Sequence, residues 1–270
     1  MSAFLPKVCT LALVATALVV PTSSASSRCA DNPQVLGTSR TLAVNPRISP
    51  KIGRAQYAQS LPLNRREVVL TFDNGPSFPY TEMILQALAA ECVKATFFAL
   101  GAHVAADPDQ IRRVALEGHT IGTRTFNHVS LAKLPLAAAK QEIDGGIDAV
   151  NGALQGEHQR TPFFRAPMLQ LSPQAERYVI SRGMNVWSMD VDAKDWRDSS
   201  DNQIVDEIVK GLEKAGKGIV VMQDIQPETA RALPTLLAQL KHRKFRVVHV
   251  VSAQPSDSTN KKSNARSRRR

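Results

Sequence analysis

The sequence predicts an α/β fold, a closed or nearly closed barrel of parallel strands with helices outside it, in a single domain. Three observations point there. Short runs rich in β-branched and aromatic residues recur seven times, at 67–72, 94–100, 119–122, 163–166, 184–189, 218–222 and 245–251. Helical patterns with readable ends lie between them, and strands alternating with helices call for a parallel sheet covered by helices. The whole chain is 270 residues, 43% hydrophobic and 21% charged, which excludes collagen, coiled coil and wholesale disorder.

The helices follow from their end signals in chain order. Asp107 is placed to cap a helix with Pro108 at its first position, and Gly118 closes it. After Pro135, Leu136, Ile143, Ile147, Val150 and Leu154 recur at helical spacing. Ser172 followed by Pro173 starts another helix, which Gly183 stops. Ser200 with Gln203 reads as a capping box ahead of Ile204, Ile208 and Leu212. Leu233, Leu236, Leu237 and Leu240 supply the last helix. Residues 26–64 read as an extended, turn-rich segment, and the barrel occupies 65–252.

The two ends have a different character. Lys7, the apolar run 8–20 and the small residues up to Ala25 form the pattern of a secretory signal peptide, 1–25, with cleavage expected after Ala25. Thirteen apolar residues are too few to span a bilayer, which needs about 20. The expected location is therefore secreted or periplasmic, with no transmembrane span after cleavage. Cys29 and Cys92 then remain, and an oxidising compartment permits a disulfide between them or leaves two free thiols. The net charge is +10, but the tail 253–270 carries +5 of it and Lys7 one more, leaving +4 for 26–252. That balance argues against a specific nucleic-acid partner. The tail is too polar and charged to join a core and is expected to be disordered.

Chemistry in such a barrel belongs at the carboxyl ends of the strands. Read in order, those ends carry Asp73 and Asn74, Arg124 and His128, Arg165, then Asp190, Asp192, Asp195 and Trp196, then Gln223 and Asp224. This is a cleft with carboxylates as acid or base, steadied by arginines. His119 falls inside a strand and reads as a core residue rather than a ligand. Two alternatives stay open: a metal site from Asp73, His119 and His128, or a glycosidase-like pairing of Asp190 or Asp192 with Asp73.

These residues resemble the NodB-homology polysaccharide deacetylases, carbohydrate esterase family four. Residues 68–76 read VVLTFDNGP against the family's TFDDGP, and Arg124-Thr125-Phe126-Asn127-His128 stands against HxxxH. Phe163-Phe164-Arg165-Ala166-Pro167 matches FFRxP, Asp192-Ala193-Lys194-Asp195-Trp196 matches DxxDW, and Val220-Val221-Met222-Gln223-Asp224 stands against LLHD. The resemblance covers roughly 67–251 and implies a distorted (β/α) barrel. It implies removal of acetyl groups from N-acetylglucosamine residues of chitooligosaccharide, chitin or peptidoglycan, with a divalent, zinc-like metal. By the same resemblance Asp73 is the catalytic base, Arg165 holds it, Asp192 orients the general acid, and Trp196 and Pro167 border the substrate groove.

The metal and acid positions depart from the family pattern. A carboxylate ligand is replaced by Asn74 and an imidazole by Arg124, leaving His128 as the surviving ligand position. An amide is a poor ligand for a transition metal, and a guanidinium has no lone pair to offer. At about 4 Å, with an effective dielectric near 20, a fixed cation would repel a dication by roughly 8 kcal/mol. The general acid is replaced by Gln223, which cannot donate a proton at neutral pH. The expectation is a deacetylase homolog with impaired catalysis and a lost metal. Arg124 is expected to take the metal's place and pair with Asp73. The alternatives are a glycan-binding homolog without catalysis, or an envelope protein whose basic tail holds an anionic polymer.

Overall fold

The computed structural model describes Cys29 and residues 32–154 and 162–253. Pro33–Arg270 forms one compact unit and Met1–Asn32 another, of which only Cys29 and Asn32 are described. The expected signal peptide and the tail beyond Ala253 lie outside the described residues. Cys29 and Cys92 are each disulfide-bonded.

Ten strands and seven helices alternate along the described chain. They run β1 (Thr38–Val44), β2 (Lys51–Ile52), β3 (Glu67–Asp73), α1 (Tyr80–Ala90), β4 (Thr96–Ala99), α2 (Gly101–Ala106), α3 (Pro108–Leu116) and β5 (Thr120–Thr123). There follow α4 (Leu136–Ala153), β6 (Phe163–Phe164), α5 (Pro173–Ser181), β7 (Asn185–Trp187), β8 (Val191–Asp192), α6 (Asp201–Ala215), β9 (Gly218–Gln223), α7 (Pro227–His242) and β10 (Arg246–Ser252). Every ladder between these strands is parallel.

The hydrogen-bonded path β8-β9-β3-β4-β5-β6-β7-β2 curls round until its ends meet, with β10 on β3 and β1 on β10. Three residues, Ser188 to Asp190, join β7 to β8, and so short a link reaches only about 14 Å. The segment after β2 fills the remaining gap. Ala55 N donates to Met189 O (2.9 Å), and Asp190 accepts from Arg54 N (2.9 Å), Ser60 Oγ (2.6 Å) and Ile219 N (2.9 Å). Asp190 is thus a rivet across the closure, which removes it from the glycosidase-like pairing.

Strand β3 is buried along its whole length, and its alternation sorts its residues between two cores. Val68, Leu70 and Phe72 face outward against Ile84, Leu85 and Leu88 of α1 and Leu233, Leu236 and Leu237 of α7. Val69 faces inward with Phe98, Phe163, Trp187, Ile219 and Val248. The same alternation sends Thr71 and Asp73 inward at the strand's carboxyl end.

The end signals act with one exception. Ser200 and Gln203 form the full capping box of α6, and Ser172 Oγ accepts from Ala175 N at α5. Asp107 stands ahead of Pro108, but its carboxylate accepts from Gln110 Nε2 (2.6 Å) rather than from a backbone N–H. Leu136 is exposed, and Ala139, Ile143, Ile147 and Val150 carry the buried face of α4. The stretch 184–189, expected as one strand, is β7 followed by the closure link to β8, because Asp190 turns the chain onto β9. Helix α1 was not expected, although Ile84, Leu85 and Leu88 show its buried stripe.

Candidate functional site

The site stands at the carboxyl ends of β3, β5, β6, β8 and β9. Asp73 ends β3 opposite Gln223 on β9, and Arg124 follows β5 directly. Two glycines set these backbones. A Cβ on Gly75 would run into the Asp224 carboxylate, and one on Gly146 of α4 would strike the Arg124 carbonyl. Only glycine lets α4 lie against the loop that delivers Arg124. Asn74 adopts φ 80°, a left-handed conformation that asparagine tolerates.

Arginines hold both oxygens of Asp73. Arg165 Nη1 donates to Oδ1 (2.7 Å) and to Thr71 Oγ1 (2.8 Å), while its Nη2 donates to Ser188 O (3.0 Å). Arg124 Nη1 donates to Oδ2, and its Nη2 reaches Ala166 O (3.4 Å). Asp73 is 5% exposed, Arg124 2% and Arg165 0%. The Arg165 guanidinium also lies 4.1 Å from the Phe98 ring centroid, a cation–π contact that helps offset its burial. Burial lowers both arginines from their ordinary values, and Asp73 opposes the shift. The inward Arg124 matches the pairing that the residue types predict.

The other two altered positions touch one another. Asn74 Nδ2 donates to Gln223 Oε1 (3.0 Å), and Asn74 Oδ1 is buried without a hydrogen-bond partner. His128 Nε2 is 3.5 Å from Arg124 Nη2, and its pKa is lowered by burial and then by the Arg124 charge. Among the described residues no group of three or more His, Cys, Asp or Glu is placed to hold a metal ion. One amide oxygen and one imidazole beside a buried guanidinium do not fit a divalent, zinc-like cation, which needs three protein ligands. The alternative set of Asp73, His119 and His128 does not assemble, because His119 is buried with Nδ1 accepting from Ala95 N (3.1 Å).

Two further carboxylates lie behind the site. Asp195 Oδ2 accepts from Gln223 N (2.6 Å) and Thr229 Oγ1 (2.6 Å), and burial raises its pKa to about 6. Asp224 accepts from Gly75 N (2.7 Å) and Thr81 Oγ1 (2.9 Å), and burial raises it to about 7. Asp195 thus holds the Gln223 backbone from behind. Asp192, which the motif suggests for orienting the acid, lines the cleft with Gln223 and accepts from Lys194 N (2.9 Å) and Trp196 Nε1 (3.4 Å).

Above Asp73 opens a cleft of about 400 Å³, lined by Asn74, Arg124, His128, Asp192 and Gln223 and walled by apolar side chains. Trp196, 55% exposed, and Met168 stand at its edge, with Ala166 and Leu169 beside them. Pro167, expected in the groove, is buried and does not line it, because the turn after β6 presents its neighbours instead. Met168 and Leu169 were not singled out from the sequence. Two apolar residues after FFRAP carry no polar signal, and the turn that carries them is left-handed at φ 52° and 55°.

Comparison with known proteins gives the fold and its family. The family model for polysaccharide deacetylases matches residues 61–187. A peptidoglycan-N-acetylglucosamine deacetylase of Bacillus cereus is 32% identical over 201 residues, 73% of this chain and 71% of the relative. A chitooligosaccharide deacetylase of Rhizobium leguminosarum bv. trifolii is 33% identical over 180 residues, 63% of this chain and 78% of the relative. A solved Bdellovibrio bacteriovorus peptidoglycan deacetylase superposes with a TM-score of 0.71 at 32% identity, over 82% of this chain. The chain spans 61% of that protein's length. With its parallel strands curled into a barrel and its polar cleft at their carboxyl ends, this chain belongs to the polysaccharide deacetylase (NodB-homology) family.

Proposed function

We propose that the chain binds an N-acetylated glycan of the peptidoglycan or chitooligosaccharide class in this cleft, with deacetylation by the family's metal route impaired. The Arg124–Asp73 ion pair carries this reading. A general base takes a proton from water on a carboxylate oxygen, and here each Asp73 oxygen already accepts from a buried guanidinium that competes with the water for it. Gln223 offers no proton to a leaving amine. What remains suits binding: Trp196 and Met168 offer apolar surface to a sugar face, and the Asn74–Gln223 amide pair offers polar contacts below it. The peptidoglycan and chitooligosaccharide named for the relatives supply the ligand class.

We also propose that the protein acts outside the cytoplasm. The signal-peptide pattern of 1–25 and the disulfide-bonded Cys29 and Cys92 support this. No helix among the described residues is long and apolar enough to cross a membrane.

The test is a zinc titration of the purified protein beside calorimetry with chitotetraose and with soluble peptidoglycan fragments. Expected are no stoichiometric zinc at micromolar concentration and glycan binding that a chelator leaves unchanged. Stoichiometric zinc that is lost on His128→Ala, together with acetate release, would overturn the reading.

A further inference from the structure

At the opposite, amino end of the barrel, the chain assembles a cationic surface that the cleft does not use. Parallel pairing of β3 and β10 sets Glu67 beside Arg246, so the loops leading into these strands stand side by side. Arg246 N donates to Arg66 O (2.8 Å), and Arg66 N donates to Gly216 O (2.7 Å). The Arg66 guanidinium donates to Arg243 O and lies over the Phe245 ring at 5.6 Å, while Arg246 Nη2 reaches Arg65 O (3.4 Å). Arg65, Arg66, Lys244 and Arg246 are all exposed, and with Phe245 they line one open concavity of about 570 Å³.

Neighbouring carboxylates do not neutralise this surface. Among the described residues, Arg65, Arg66 and Lys244 form no ion pair. Arg246 has only Glu67 Oε1 at 3.7 Å, and that buried carboxylate is already held by Arg40 at 2.7 Å. Glu213 is taken by Arg243. The backbone adds an independent observation. Arg66 and Lys244 sit at φ 61° and 60°, and Lys244 occupies the place just past α7 where glycine is the usual residue. Cations thus stand where glycine would be less strained, in two loops that touch no part of the cleft.

We propose that this surface binds a base-free polyanion of linked phosphates and so holds the protein to an anionic polymer while the cleft on the other end stays open. Guanidinium forks match phosphate oxygens in pairs, and three of the four cations are arginines. Phe245 is buried, so the surface has no stacking platform for nucleic-acid bases. None of the exposed large hydrophobic residues belongs to these loops, so nothing there would insert into a lipid surface.

The test is anisotropy of labelled long-chain polyphosphate with the full chain, from 50 to 300 mM salt. Arg65→Gln with Lys244→Gln should weaken binding at least tenfold at low salt. The same pair should flatten the log–log salt slope by roughly 0.7 per lost contact. Lys244→Gly should raise Tm, by relieving the left-handed backbone, and still weaken binding. A raised Tm with unchanged binding would reduce the loop to a structural role and overturn the proposal. So would binding that survives the loop variants and vanishes in Arg268→Gln/Arg269→Gln/Arg270→Gln. Loop-dependent capture of anionic vesicles or single-stranded DNA in preference to polyphosphate, or full competition by micromolar inorganic phosphate, would overturn the polymer assignment.

Discussion

Arg124 donates to Oδ2 of Asp73 within a pair almost closed to solvent, on the oxygen opposite the one that Arg165 holds. Removing either partner is unequal in consequence. Asp73→Ala strands two buried guanidiniums and is expected to cost about 3–5 kcal/mol, whereas Arg124→Ala leaves the carboxylate with Arg165 and should cost less. Urea unfolding of both variants and of the double variant checks this, with strong non-additivity expected in the cycle.

Restoring the family's ligand and acid types should restore chemistry. The variant Asn74→Asp/Arg124→His/Gln223→His keeps His128 and removes the fixed cation from the cleft floor. It is expected to bind zinc stoichiometrically and to release acetate from chitooligosaccharide at least tenfold faster than the natural chain. Zinc binding without any gain in acetate release would show that the ligand positions alone do not limit the reaction.

Trp196 is exposed, accepts Arg197 over its ring at 4.6 Å, and donates to Asp192. Trp196→Ala should weaken glycan binding about tenfold, ~1.4 kcal/mol, while leaving Tm nearly unchanged. Calorimetry beside a thermal melt separates the two readouts.

Burial raises Asp224 to about 7 and Asp195 to about 6, against roughly 4 in the unfolded chain. The folded state then binds protons more tightly than the unfolded state between pH 4 and 7. That contribution is fully present below pH 4 and is lost as pH rises through the folded values. Asp224→Asn should therefore flatten the loss of stability with rising pH by about 1 kcal/mol per unit in that window. Denaturant melts at pH 4.5, 6 and 7.5 would show it.

Much of this protein was legible in one dimension because the signals are local. Apolar runs of strand length, Ser200 with Gln203, Ser172 with Pro173, and polar residues just past each strand all report their own neighbourhood. The exchange of ligand and acid types at Asn74, Arg124 and Gln223 was equally visible, because it concerns which atoms carry lone pairs or protons.

Other features were decided only by contacts between residues far apart in the chain. Asp190 and Asp192 are two residues apart, yet Asp190 stands ahead of β8 and bonds across the barrel closure to Arg54 and Ser60, while Asp192 ends β8 and lines the cleft. Asp195 accepts from the Gln223 backbone N–H, a contact that depends on how the loop after β8 lies against β9. Likewise, Arg65 and Lys244 are nearly 180 positions apart in the sequence, and the parallel pairing of β3 with β10 makes them neighbours. Residue chemistry is written in the chain itself, whereas the partner each group meets depends on strand register and loop path, which only the folded packing determines.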